Sequence, residues 1–139
     1  MSESSTSHQT FIRTFTAQPE HIDELGHVNN AVWVQWIQDL ATAHWDAAAR
    51  PADHAAFFWV VIRHEIDYRG NIAAGQSAKG TTFIDGPPRG AKSVRVVEFV
   101  GEAGKPLVSA RTTWAMLDRA TQRLARVRPE VIAPFQVAG

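Results

Sequence analysis

Apolar and polar residues change period along this chain, and each change marks an element. Thr10 to Ala17 alternates, placing Phe11 and Phe15 on one face of a first strand. From about Asn30 to Ala49 the spacing is helical. Trp33, Trp36, Ile37, Leu40 and His44 share one side, while Gln35, Asp39, Thr42 and Asp46 form a narrow polar stripe. The remaining positions there are largely Ala and Val, so the pattern predicts a helix wrapped by other elements. Arg50-Pro51 ends it, because a residue before proline is biased away from helix. From Phe57 the period is strictly two. Phe58, Val60, Ile62, His64, Ile66 and Tyr68 face one way, and Arg63, Glu65, Asp67 and Arg69 the other.

Further strands are predicted over Gln76 to Asp85, Lys92 to Val100 and Leu107 to Asp118, the last with Val108, Ala110, Thr112, Trp114 and Met116 on one face. Turns rich in Gly and Pro separate them, at Gly70 to Gly75, Gly86 to Gly90 and Gly101 to Gly104. Pro129-Glu130-Val131 reads as one closing helical turn. One helix against an antiparallel sheet of about five strands is an α+β arrangement. Such a sheet leaves edges uncovered, so at least a homodimer is expected, with two sheets joined edge to edge.

The 139 residues suffice for one domain with a substantial core. The chain shows no internal repeat or interdomain linker, so residues 10–139 read as one domain after a flexible tail over 1–9. Fourteen basic side chains balance fourteen acidic ones, which gives no electrostatic recruitment to nucleic acid or an anionic membrane. The lack of cysteine removes disulfides, thiolate nucleophiles and Cys-based zinc sites together. There are six histidines, but no pair has the spacing of a known metal site. No apolar run approaches a membrane span, and Met1 to Thr10 has no signal-peptide hydrophobic region, so a cytoplasmic protein is expected.

Candidate chemistry concentrates in His21-Ile22-Asp23-Glu24-Leu25-Gly26-His27-Val28-Asn29-Asn30, a polar segment directly before the apolar helix. Asn29 or Asn30 is placed to be the N-cap. Free N–H groups and the dipole at a helix start polarise a carbonyl or anion there. The Asp23 carboxylate lies seven residues before Asn30 and can fold back over the same point. A base or nucleophile facing such a helix start is the geometry acyl transfer needs.

This segment, with Ala31-Val32-Trp33-Val34-Gln35-Trp36 after it, resembles the hotdog-fold acyl-CoA thioesterases of the 4-hydroxybenzoyl-CoA thioesterase-like group. That family opens with a strand, Asp-x-Asp-x-x-Gly-His-Val-Asn-Asn and a long aromatic-rich helix. Ile66-Asp67-Tyr68-Arg69, Lys92-Ser93-Val94, Thr112-Thr113-Trp114 and Asp118-Arg119 extend the match, from about Phe11 to Val131. The resemblance implies a hotdog fold that hydrolyses an acyl- or aroyl-CoA without metal or redox cofactor. It assigns Asp23 as base or nucleophile, and the backbone N–H at or beside Asn30 as oxyanion donor. It places CoA across Lys92 and Ser93, with Arg89 near enough to help. His21 stands where the family has its first acid.

Each assignment has a plainer competitor. An isolated Asp before a helix is more often a turn residue, and only the motif in register lifts Asp23 above that. His27 either meets substrate or fixes the turn, and the side chains of Asn29 and Asn30 read as structural. His64 reads as a satisfied core histidine, with lining of the acyl pocket as the alternative. Trp33 and Trp36 are core candidates that could also contact the acyl group. Asp39, on the helix, is a weaker catalytic candidate than Asp23. Two other functions compete: a hotdog acyl-CoA hydratase or dehydratase, which needs a second proton-transfer group such as His27, and a non-catalytic acyl-CoA-binding protein. Acyl identity, and dimer against tetramer, are not encoded in any local pattern.

Overall fold

The computed structural model describes residues 9–136. Residues 1–8 of the expected tail lie outside the described residues. The order is β1 (Phe11–Thr16), α1 (Asn30–Ala48), α2 (Pro51–Ala56), β2 (Phe57–Tyr68), β3 (Ser77–Ile84), β4 (Lys92–Val100), β5 (Pro106–Asp118) and α3 (Pro129–Ile132). The five strands form one antiparallel sheet in the order β1-β3-β4-β5-β2. This is the expected α+β hotdog architecture, with a 19-residue central helix.

Helix α1 buries Trp33, Trp36, Ile37, Leu40, Ala41, His44 and Trp45 and leaves Gln35, Asp39, Thr42 and Asp46 exposed, as its stripe requires. Its first half packs with Val28, Val97, Phe99 and Val108. Its last turns meet a second cluster around Ile84, Met116, Val131 and Phe135. Gly80 in β3 lets the helix lie this close to the sheet. A Cβ there would stand 2.7 Å from the Phe99 ring and 2.9 Å from Leu40 Cδ2.

Two expectations need correction. Arg50-Pro51 does end α1, but the chain starts a second helix there. Pro51 occupies its first turn, where a missing N–H costs nothing, and the Arg50 guanidinium grips the buried Asp53 carboxylate at 2.7 Å. Nor does β2 keep one phase. Its register against β5 shifts between Val61 and Arg63, a bulge that moves the following side chains to the other face. Phe57 and Trp59 pack on the second cluster and Ile66 on the first, while Val60 and Ile62 are 38% and 49% exposed. A twelve-residue edge strand therefore shows apolar side chains to solvent. Among the described residues no helix is long and apolar enough to cross a membrane.

Candidate active site

The polar segment before α1 folds as a small hairpin. Ile22 bridges Val28, Asp23 N–H donates to the His27 carbonyl at 2.8 Å, and Asn29 N–H donates to that of His21 at 2.9 Å. Its tip needs Gly26, whose φ is +82° and whose N–H donates to the Asp23 carbonyl at 3.1 Å. Asp23 holds this turn through one carboxylate oxygen: Oδ1 accepts from Leu25 N–H at 2.9 Å and His27 N–H at 3.2 Å. Oδ2 has no partner among the described residues. The turn-forming role is thus real, and it orients the carboxylate while leaving one oxygen available.

At the helix start, Asn29 is the N-cap, its Oδ1 accepting from Ala31 N–H at 2.9 Å. Val32 and Trp33 N–H both reach the Asn29 carbonyl, at 2.9 and 3.3 Å. Asn30 N–H is left, the one donor of this first turn without an acceptor among the described residues. It sits at the positive end of the helix dipole. The exposed His27 fixes the hairpin with its backbone alone, and its imidazole makes no hydrogen bond with described residues. His21 is occupied elsewhere: Nδ1 accepts from Gln18 N–H at 2.9 Å, and its ring meets Trp36 edge-on at 5.4 Å.

Asn71 fastens this assembly, and sequence reasoning treated it only as part of a turn. Its Oδ1 accepts from Val28 N–H at 3.1 Å, Ile72 N–H at 2.8 Å and Trp33 Nε1–H at 3.3 Å, while Nδ2 donates to the Val28 carbonyl at 3.1 Å. One carboxamide therefore ties the motif hairpin and the first turn of α1 to the turn after β2. No local pattern separates such an Asn from an ordinary turn residue, because its partners are 43 and 38 positions away.

The other candidates are dispersed. Trp33 is fully buried in the core, packed against Trp36 and Phe99. Asp39 is an exposed stripe residue bonded to Gln35 at 2.8 Å. His64 is half-buried, with Nδ1 bonded to Thr112 Oγ1 at 2.8 Å and Nε2 buried without a partner, and burial lowers its pKa. Lys92 and Arg89 share a depression of about 570 Å³ with Arg111 and Asp85, themselves paired at 2.7 Å. Pleating turns Ser93 to the opposite face, where it is buried on the helix side, so Lys92 and Ser93 do not form one surface. The strand registers place Lys92 at the end of the sheet that holds Ile84 and Asp118, whereas the Asp23 hairpin follows Thr16, paired with Ser77 at the other end, and bonds to Asn71 and Ile72 just after Tyr68. Within one chain the two groups occupy opposite ends of the sheet. Among the described residues no group of three or more His, Asp or Glu is placed to hold a metal ion.

The far end of the sheet also buries a single cation, Arg95, hydrogen-bonded to a neutral histidine. Arg95 projects onto the helix side of β4 with Ser93, Val97 and Phe99, and donates to His44 Nδ1 at 2.8 Å and Thr82 Oγ1 at 3.3 Å. Burial, reinforced by the Arg95 charge, lowers the His44 pKa to about 3, so His44 stays neutral as the acceptor. The available signal was that Arg95 shares the two-residue phase of Val97 and Phe99.

The family described as the acyl-ACP thioesterase N-terminal domain matches residues 8–135. No curated protein matches the chain in sequence. Among solved structures, the Staphylococcus aureus protein SAV2348 in complex with CoA is 14% identical with a TM-score of 0.80, over 95% of this chain and 85% of that one. An acyl-ACP thioesterase from Bacteroides thetaiotaomicron is 20% identical with a TM-score of 0.78. That match covers 91% of this chain and 52% of the other, so the chain spans about half the relative's length. A 1,4-dihydroxy-2-naphthoyl-CoA thioesterase from Synechocystis is 13% identical with a TM-score of 0.76, over 90% and 94%.

Two outcomes are expected. Asn71→Ala should strand the Val28 carbonyl, Ile72 N–H and Trp33 Nε1–H, while Val28 N–H keeps its 3.2 Å bond to the Ile72 carbonyl, and lower stability by about 2–4 kcal/mol in urea unfolding. Stability should also fall as pH drops from about 6.5 toward 3. In that window the unfolded-state His44 binds a proton that the folded state excludes, so stability rises with pH there. Carboxylates lose stability in the same direction, so the measurement is the urea midpoint at pH 7 and pH 4.5 in wild type and His44→Gln. The smaller change belongs to the variant, and equal changes would show that His44 contributes nothing.

Proposed function

We propose, from the premise that this chain belongs to the family of acyl-ACP thioesterase N-terminal domains, that it hydrolyses an acyl thioester to the free acid and a thiol, with Asp23 as base or nucleophile. The supporting observation is the unpaired Asn30 N–H at the start of α1, beside a hairpin that orients the Asp23 carboxylate. The thioester oxygen accepts from Asn30 N–H, and the helix dipole favours the negative charge that grows on it. Asp23 Oδ2 either attacks the carbonyl carbon, giving an anhydride that water then cleaves, or takes a proton from an attacking water. In both routes the tetrahedral intermediate collapses by expelling the thiolate, which is then protonated.

The thiol belongs to a pantetheine arm, carried on CoA or on an acyl carrier protein. CoA is the reading the Lys92-Ser93 resemblance suggests, with Lys92 and Arg89 available for phosphates. The family's own description favours the carrier protein. These cations lie at the opposite end of the sheet from Asp23, which supports a homodimer or homotetramer joined at the exposed edge of β2. Antiparallel edge pairing reverses the second sheet, so the phosphate-binding end of one copy lies beside the hairpin of the other. Sedimentation should then show a dimer or larger, and a monomer at micromolar concentration would remove this part of the reading.

The chemistry is tested with Asp23→Asn against CoA esters of short, long and aromatic acids and one acyl carrier protein thioester. Asparagine retains the Oδ1 acceptor that Leu25 and His27 require, so the hairpin survives. A loss of kcat/KM of about a hundredfold or more is expected. Near wild-type turnover would contradict the assignment of Asp23.

A further inference from the structure

A cavity of about 230 Å³ lies between the last turns of α1 and the β2-β5-β4 sheet, among Trp45, Trp59, Ser93, Arg95, Trp114 and Phe135. Within one chain it is far from Asp23: Asn30 and Trp45 are fifteen residues apart on one helix, about 22 Å of axis.

Its polar equipment is one-sided. Arg95 is 6% exposed, and no described carboxylate lies within ion-pair distance of it. One guanidinium nitrogen serves His44 and Thr82, and the remaining N–H groups have no protein acceptor among the described residues. Trp114 Nε1–H, on the same wall, is buried without an acceptor. The Asp46 carboxylate at the rim is bonded to His54 at 2.8 Å rather than to Arg95. Apolar rings complete the walls, with Trp45 stacked on Phe135 at 5.7 Å and edge-on to Trp59 at 5.6 Å. Desolvation lowers the Arg95 pKa only to about 10, so the group remains a cation at neutral pH. An isolated buried charge is costly unless an opposite charge joins it.

We propose that this cavity is a second ligand site, for a compact organic carboxylate whose anion pairs with Arg95 and accepts from Trp114 while its apolar or aromatic body lies among Trp45, Trp59 and Phe135. Its volume is below that of drug-sized pockets, which suits a small acid. Binding here is independent of the hydrolytic assignment. It requires neither Asp23 nor the Asn30 N–H.

The test compares benzoate and hexanoate with their uncharged isosteres benzamide and hexanamide, by calorimetry and by quenching of the wall tryptophans. At least one acid should bind saturably and about tenfold more tightly than its amide. The preference should persist in Asp23→Asn and shrink to within about twofold in Arg95→Met. Should Arg95→Met fail to fold, the Arg95 Nε–H resonance of the wild-type protein decides, moving with the acid and not with the amide. Absence of saturable binding by either acid, equal binding of acid and amide, a preference retained without Arg95, or an Arg95 resonance unmoved by the acid would each overturn the proposal.

Discussion

The site depends on how one carboxamide, that of Asn71, is spent. Backbone groups at the entry to a helix have no intrahelical partners, and a loop ending there has no reason to hold one shape. Asn71 ties the hairpin, whose own bonds shape it, to the first turn of α1 by accepting from Val28 N–H and Trp33 Nε1–H and donating to the Val28 carbonyl. The Asn29 cap then satisfies Ala31 N–H, the Asn29 carbonyl takes the next two donors, and Asn30 N–H alone stays open. A donor that is fixed and unsatisfied costs no reorganisation when negative charge develops against it, which is the condition for electrostatic catalysis.

The rest of the molecule divides by end. At one end, the hairpin and helix start present an acid and an open N–H close to solvent. At the other, the sheet buries a cation among aromatic rings and carries surface cations on its reverse face. The β4 pleat creates this division, sending Lys92 outward and Ser93 and Arg95 inward within four residues. Edge strand β2, with Val60 and Ile62 exposed, is the route by which a second copy would bring the two ends together.

Much of this was legible in the sequence, and the limits have physical causes. The α1 stripe and the four strands after it were readable because burial on one face imposes a period. The change from polar to apolar residues marked the start of α1 at Asn30, with Asn29 as its cap. The β2 bulge was not readable, since a one-residue phase change leaves Phe58, Val60 and Ile62 looking like a continuous face. Helix α2 was missed because proline was read as a stop, when at a first helical turn it is equally a start. Asn71 was invisible because its partners are distant. Arg95 stood in plain alternation with Val97 and Phe99, yet only the packed fold shows that nothing negative faces it.

The central claim is that Asn30 N–H receives the thioester oxygen beside the Asp23 carboxylate. A crystal structure of the Asp23→Asn protein with a CoA ketone analogue of the thioester, which cannot be hydrolysed, tests it directly. The ketone oxygen is expected about 3 Å from the Asn30 nitrogen, with the side chain at position 23 facing the carbonyl carbon. A ketone bound with its oxygen away from the helix start, or on another donor, would contradict it.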